Sequence, residues 1–220
     1  MAKMLYDKMS TDSHLDISKR HIRLCKRIKG AEDLAAAITP SITNLKEKHE
    51  IRSACEDDKT AAYDDMQFND AALDDVIRNL SAGAKQYDRT HPGRSVHSML
   101  FPDGKTTTIT EASLSAEPDK AEQVLQRVKG FEEGHELVSY QLPLESAIAV
   151  CRKGISSYQN MITAVKTALA DEEIAQADLR KQYEFNYLDA VKIFGKSFAN
   201  RLFPKAASKK KEVIVEAVPE

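Results

Sequence analysis

Tryptophan is absent from the chain, and Phe and Tyr together make up only 6% of it. Strands lean on aromatic and β-branched side chains, so this poverty weighs against a sheet protein. Glycine (8) and proline (7) are also scarce and fall in a handful of places, which leaves long stretches without a helix breaker. The three cysteines, Cys25, Cys55 and Cys151, are odd in number and show neither a CxxC nor a metal-type spacing. That pattern fits reduced, buried thiols in a cytoplasmic protein better than a disulfide framework. No run approaches the ~18 apolar residues that a membrane span requires, and the N-terminus lacks the apolar region of a signal peptide. The net charge of −2 argues against a surface built wholly for nucleic acid.

What the chain has in plenty is charge (30%) together with Ala, Leu, Lys and Glu, a composition for long helices. Residues 1–12 read as a flexible lead-in. Ser13 can cap a helix to about Ile38 whose seam, Ile17, His21, Leu24, Ile28, Ala31, Ala35 and Ile38, is spaced 4-3-4-3-4-3. Thr39-Pro40 is expected to end it, because proline disfavours helix in the residue before it. A long helix then runs from about Ser41 to Arg89 on Ala62, Met66, Asn69, Leu73, Val76, Leu80, Gly83 and Tyr87, until His91-Pro92-Gly93 stops it. Residues 93–117 are irregular, with a turn at Phe101-Pro102-Asp103-Gly104 and a Thr-rich run, 105–110, that is at most a short extended segment. A third helix carries Ala121, Val124, Val128, Phe131, His135, Val138 and Leu142. After Pro143 a fourth runs from Leu144 to Leu202, its seam interrupted by a polar break at Asp171–Gln176. Residues 205–220 read as a charged, disordered tail.

The two halves echo each other. Gly93-Arg94-Ser95 followed by Leu100-Phe101-Pro102 recurs 102 positions later as Gly195-Lys196-Ser197 followed by Leu202-Phe203-Pro204, and Lys29-Gly30 recurs as Lys129-Gly130. An internal repeat sets architecture before any local feature does. The fold expected is all-α, a duplicated antiparallel helical hairpin of short helix plus long helix, over residues 13–92 and 118–204. The long helices overhang their partners with apolar stripes (Leu73, Val76, Leu80 and Tyr87; Leu179, Tyr183, Val191 and Phe198). Either these overhangs pair with each other in an elongated coiled coil, or the hairpins stack as a compact four-helix bundle; a homodimer is one way to complete the former. In this long-helix texture, with its two Leu-Phe-Pro endings, the chain resembles a loose group of bacterial coiled-coil proteins without a known function. That resemblance implies a bacterial origin, and it carries over no activity and no site residue.

Chemistry-bearing patterns are few. Gly195-Lys196-Ser197 looks like the end of a phosphate loop, but the position five residues before Gly195 is Ala190, and the setting is the end of a helix. A helix-terminating glycine followed by an apolar anchor accounts for it better. Glu132 and His135 have the i, i+3 spacing of carboxylate-bridged dimetal bundles, and His21 shares a core seam, yet only one such copy exists. The acidic run Glu56, Asp57, Asp58, Asp64, Asp65, Asp70, Asp74 and Asp75 lacks the glycine of a calcium loop. It reads as pairing with basic Lys19, Arg20, Arg23, Lys26, Arg27 and Lys29, Arg23 falling opposite Asp57. Lys192, Lys196, Arg201, Lys205, Lys209, Lys210 and Lys211 form a basic stretch that can touch nucleic acid or anionic lipid. No Ser/His/Asp or GxSxG arrangement supplies a nucleophile. The expectation is a non-enzymatic helical scaffold or adaptor that binds protein partners, with no catalytic, cofactor or metal residue assigned. A metal- or small-ligand-binding bundle using Glu132, His135 and His21 is the alternative, and a nucleic-acid- or virion-associated protein using the basic C-terminal segment is the third reading.

Overall fold

The computed structural model describes residues 3–203, and every element among them is helical. The elements in order are α1 (Thr11–Cys25), α2 (Glu32–Thr90), α3 (Val96–Leu100), α4 (Thr107–Thr110), α5 (Glu117–Lys129), a 3-10 turn (Glu136–Tyr140), α6 (Gln141–Phe194) and α7 (Lys196–Leu202). No described helix is long and apolar enough to cross a membrane.

Proline 40 does not end a helix. It lies inside α2, and the turn between α1 and α2 falls at 26–31, where Gly30 takes φ +88°. A mid-helix proline lacks a donor and leaves a carbonyl without its usual partner. Here Pro40 is exposed, and hydroxyls bond to carbonyls around it: Thr39 Oγ1 donates to Ala35 O (2.7 Å) and Thr43 Oγ1 to Thr39 O (3.2 Å). The shifted turn removes the register that set Arg23 opposite Asp57. The third helix likewise stops at Lys129 rather than running to Leu142, so Leu137 is buried in its place and Leu142 is 74% exposed. Pro143 does fall in the first turn of α6, where its missing N–H costs nothing. The Thr-rich run forms α4 instead of an extended segment. Helix α1 begins at Thr11, capped by Ser10, whose Oγ accepts from Ser13 N (3.3 Å).

The chain divides into two compact units, Met1–Ser53 with Thr167–Glu220, and Ala54–Lys166. In unit 1 the core joins α1 (Leu15, Ile17, Cys25), the N-terminal part of α2 (Leu34, Ile38, Leu45), the C-terminal part of α6 (Leu179, Tyr183, Ala190), and Leu202 and Phe203 after the chain turns at Gly195. Within it α2 and α6 are antiparallel, since Leu34 bonds to Asn186 while Lys48 meets Asp171. Met4, Leu5 and Met9 pack against this core, and Lys3 N donates to Phe203 O (3.0 Å). In unit 2 the core joins α5 (Ala121, Val124, Leu125, Val128), the N-terminal part of α6 (Leu144, Ile148, Cys151), the C-terminal part of α2 (Leu73, Ile77, Leu80, Ala84), and Leu100 and Phe101 of the segment after Gly93. The stripes expected as overhangs are therefore largely core: Leu73, Leu80, Leu179 and Tyr183 are all buried.

Each unit is closed by its own Leu-Phe pair. Gly93 (φ +91°) and Gly195 (φ +76°) take the left-handed conformation that lets a long helix end and the chain fold back. Phe203 then lies 4.2 Å from the His21 ring and 5.0 Å from that of Tyr183. On the other side Asp88 accepts from Val96 N (2.7 Å) and His97 N (3.0 Å), anchoring α3, and Arg127 Nη1 donates to Leu100 O (2.7 Å).

Candidate functional site

Side chains able to do chemistry collect at two buried polar clusters, one in each unit, where the start of a short helix meets one long helix and a second packs alongside.

In unit 1 the hub is Glu172, 2% exposed, which lies in the polar break of α6. Thr11, the first residue of α1, donates its hydroxyl to Glu172 Oε1 and accepts from Gln176 Nε2 (2.7 Å). His49 Nδ1 (3.0 Å) and Arg52 Nε (2.6 Å) approach the same carboxylate from α2. Lys48 pairs with Asp171 beside it (2.9 Å). A cleft of about 330 Å³ opens here, lined by Ser10, Thr11, Asp12, His49, Arg52 and Glu172 among others. The charge is balanced: one buried carboxylate meets a guanidinium, an imidazole and a hydroxyl. Such a set ties the start of α1 to both long helices through one ion pair and its neighbouring hydrogen bonds.

In unit 2 the corresponding place holds Glu117, the first residue of α5 and 1% exposed, facing Asp70 and Asp74 on α2. Asp70 stands 102 residues before Glu172 and Asp74 102 before Gln176; 102 beyond His49 and Arg52 lie Cys151 and Gly154. The base and the cation are therefore replaced by a thiol and by no side chain at all. Gly154 lets the helices close up, since a Cβ there would stand 3.0 Å from Asn69 Nδ2 and 3.3 Å from Met66 Cα. Three carboxyls remain, with Arg78 reaching only Asp74 (2.6 Å). Asp70 Oδ1, Asp74 Oδ1 and Glu117 Oε1 are buried without a hydrogen-bond donor. Burial, then the nearby Asp70 and Asp74, push the Glu117 carboxyl up to about 9, and burial raises Asp74 as well. Burial, with the adjoining carboxylates, pushes Cys151 up to about 11. Such a thiol is inert.

The residues that the sequence offered for metal are employed elsewhere. His21 is fully buried in unit 1, its Nδ1 donating to Leu202 O (3.0 Å) and its Nε2 accepting from Asn186 Nδ2 (3.1 Å). Burial lowers its pKa, so the ring is neutral and both nitrogens are used. His135, in unit 2, stacks on Phe131 (4.2 Å) and caps the 3-10 turn by accepting from Leu137 N (3.2 Å). Glu132 is exposed. Among the described residues no group of three or more His, Cys, Asp or Glu side chains is placed to hold a metal ion. Lys196 and Ser197 are exposed at a helix–helix junction, in no phosphate loop. Of the basic stretch, Lys192 pairs with Asp189 (2.9 Å) and Arg201 lies over the Phe198 ring, while Lys205 to Lys211 fall outside the described residues.

Sequence reasoning missed both clusters. The break at Asp171–Gln176 was one available signal. The other was a second seam on α2, Asp70, Asp74, Ile77, Ser81 and Ala84, spaced 4-3-4-3 like the first. Comparison of the chain with protein-family models, curated proteins and solved structures returns no match.

Proposed function

We propose that this protein is a non-enzymatic helical scaffold or adaptor, built as a duplicated pairing of short and long helices, that works by binding protein through an exposed helix face. The observation that carries this reading is a stripe on α6 of unit 1. Ile174 (61% exposed), Phe185 (47%) and Leu188 (48%) lie on one outward face with exposed Asp178 and Lys181 between them. Large apolar side chains aligned in this way are the mark of an interaction surface.

The occupant that the stripe fits is a second copy of the chain. Ile174, Asp178, Lys181 and Phe185 are spaced 4-3-4, a heptad seam that reads the same in class from either end. In an antiparallel, two-fold pairing Ile174 of one copy meets Phe185 of the other, and Asp178 meets Lys181, twice over. Central polar positions of this kind fix register and orientation at some cost in stability. Analytical ultracentrifugation should show a concentration-dependent dimer that Phe185→Glu abolishes. Asp178→Lys should weaken it, and adding Lys181→Asp to the same chain should restore it. A wild-type chain that stays monomeric at every concentration overturns the pairing with a second copy. Capture by the immobilised chain of a partner that Phe185→Glu then loses would assign the stripe to that protein instead.

A further inference from the structure

We infer that the carboxyl cluster of Glu117, Asp70 and Asp74 in unit 2 is a proton-held latch, which closes the start of α5 onto α2 when it holds a proton and loosens when it loses one.

The geometry makes a proton the counter-charge. A buried carboxylate needs a donor or a cation, and three together need more. The homologous place in unit 1 supplies Arg52, His49 and Thr11 to Glu172. Unit 2 has none of these there, and the close approach at Gly154 would crowd a side chain at the position matching Arg52, a Cβ there standing 3.0 Å from Asn69 Nδ2 and 3.3 Å from Met66 Cα. The groups facing Glu117 are Asp70 and Asp74, with Arg78 beyond them on α2, and Cys151 and Arg152 on α6. Of the two cations, Arg78 is engaged with Asp74 and Asp75, and Arg152 with Asp119 (2.8 Å) and Glu122 (3.3 Å). A protonated Glu117 donates one hydrogen bond to an aspartate, and the orphaned oxygens become an acceptor set for it. Ionised, the trio is three like charges around one buried point. Ala116 gives α5 no side-chain cap, so the cluster at Glu117 is the polar tie between that helix start and α2, beside the apolar packing of Ala121.

The sign follows from linkage. The folded carboxyl stands at about 9 against an ordinary value of 4.5, so the folded state holds one more proton across that window. Stability from this site is full below 4.5, falls as pH rises through the neutral range, and is gone above about 9. Acidification tightens unit 2 and alkali loosens it.

Two measurements on the full chain test this. In the wild type, the unfolding equilibrium constant read from exchange of α5 amides should rise by up to about tenfold per pH unit between pH 5 and 9. In Glu117→Gln, which keeps a donor and cannot ionise, that dependence should be largely lost, and α5 should be better protected than the wild type at pH 8–9. The carboxyl carbon resonance of Glu117 in the native wild type should titrate far above an ordinary glutamate. Parallel pH profiles for wild type and Glu117→Gln, or a Glu117 resonance that titrates near 4.5, would overturn the latch. If Glu117→Gln does not fold, the native titration alone decides.

Discussion

Each unit buries a carboxyl where a short helix starts, and the two are held differently. Unit 1 buries Glu172 and surrounds it with Arg52, His49 and Thr11; unit 2 buries Glu117 beside Asp70 and Asp74 and supplies no cation of its own to it. The first is neutralised by side chains that are present at every pH at which Arg52 and Glu172 are charged. In the second, Arg78 serves Asp74 alone of the three, and Glu117 is neutralised by a proton. Positions matched by the 102-residue offset, His49 and Arg52 against Cys151 and Gly154, carry different donors in the two units. What the donors determine is how the joint answers to its surroundings.

The comparison can be broken hardest at Glu172. Glu172→Ala leaves Arg52 and His49 facing a buried gap and should cost about 3–5 kcal/mol, seen as a fall in the urea midpoint. Asp70→Asn in the other unit removes a like charge from the trio and should be neutral or stabilising at pH 8. A loss at Asp70→Asn as large as at Glu172→Ala would show the two joints to be alike after all. Next come the closing aromatics. Phe203 and Phe101 are both buried, and replacing either with Ala should cost about 3–5 kcal/mol. Residue-resolved hydrogen exchange should find the loss in unit 1 for Phe203→Ala and in unit 2 for Phe101→Ala.

Changing pH should separate the units without any mutation. His21 and His14 in unit 1 are buried and have pKa values lowered from the ordinary 6.5, burial being the main cause. The unfolded chain thus binds protons that the folded unit refuses, and unit 1 loses stability as pH falls below 6.5. Unit 2 gains over the same interval through Glu117. Amide protection measured at pH 7 and pH 5 should therefore fall in α1 and rise in α5; movement in the same direction would refute the contrast. The smallest effect belongs to the surface: Arg152 is about half exposed in its bridges to Asp119 and Glu122, and Arg152→Ala should cost about 0.2–1 kcal/mol.

The all-helical class and most core positions were legible, because apolar seams such as Leu144, Ile148 and Cys151 advertise a buried face directly. The role of Leu-Phe as a plug after each glycine was legible too, from its recurrence. Turn placement was not. The 4-3 spacing of Leu24, Ile28, Ala31 and Ala35 runs unbroken through the real turn at Gly30, so periodicity concealed it, while Pro40 advertised a break that α2, running on through an exposed Pro40, does not make. The clusters stayed hidden for a different reason. Carboxylates on a helix read as a solvated face, and Asp70 and Asp74 belong to a run of acids that mostly is one. Only the packing reveals that Asp74 turns inward against Glu117.

The composition of the two units also bears on how the chain is born. Unit 2 is one continuous stretch, Ala54–Lys166, whereas unit 1 joins residues near the beginning to residues beyond Thr167. During synthesis the first 53 residues must wait, with Leu15, Ile38 and Leu45 uncovered, until Leu179, Tyr183 and Phe203 have left the ribosome. Contacts of such long sequence separation form late and expose apolar surface meanwhile. The unit that is completed first on the ribosome is the one whose joint is held by a proton, and the unit completed last is the one locked by its own ion pair.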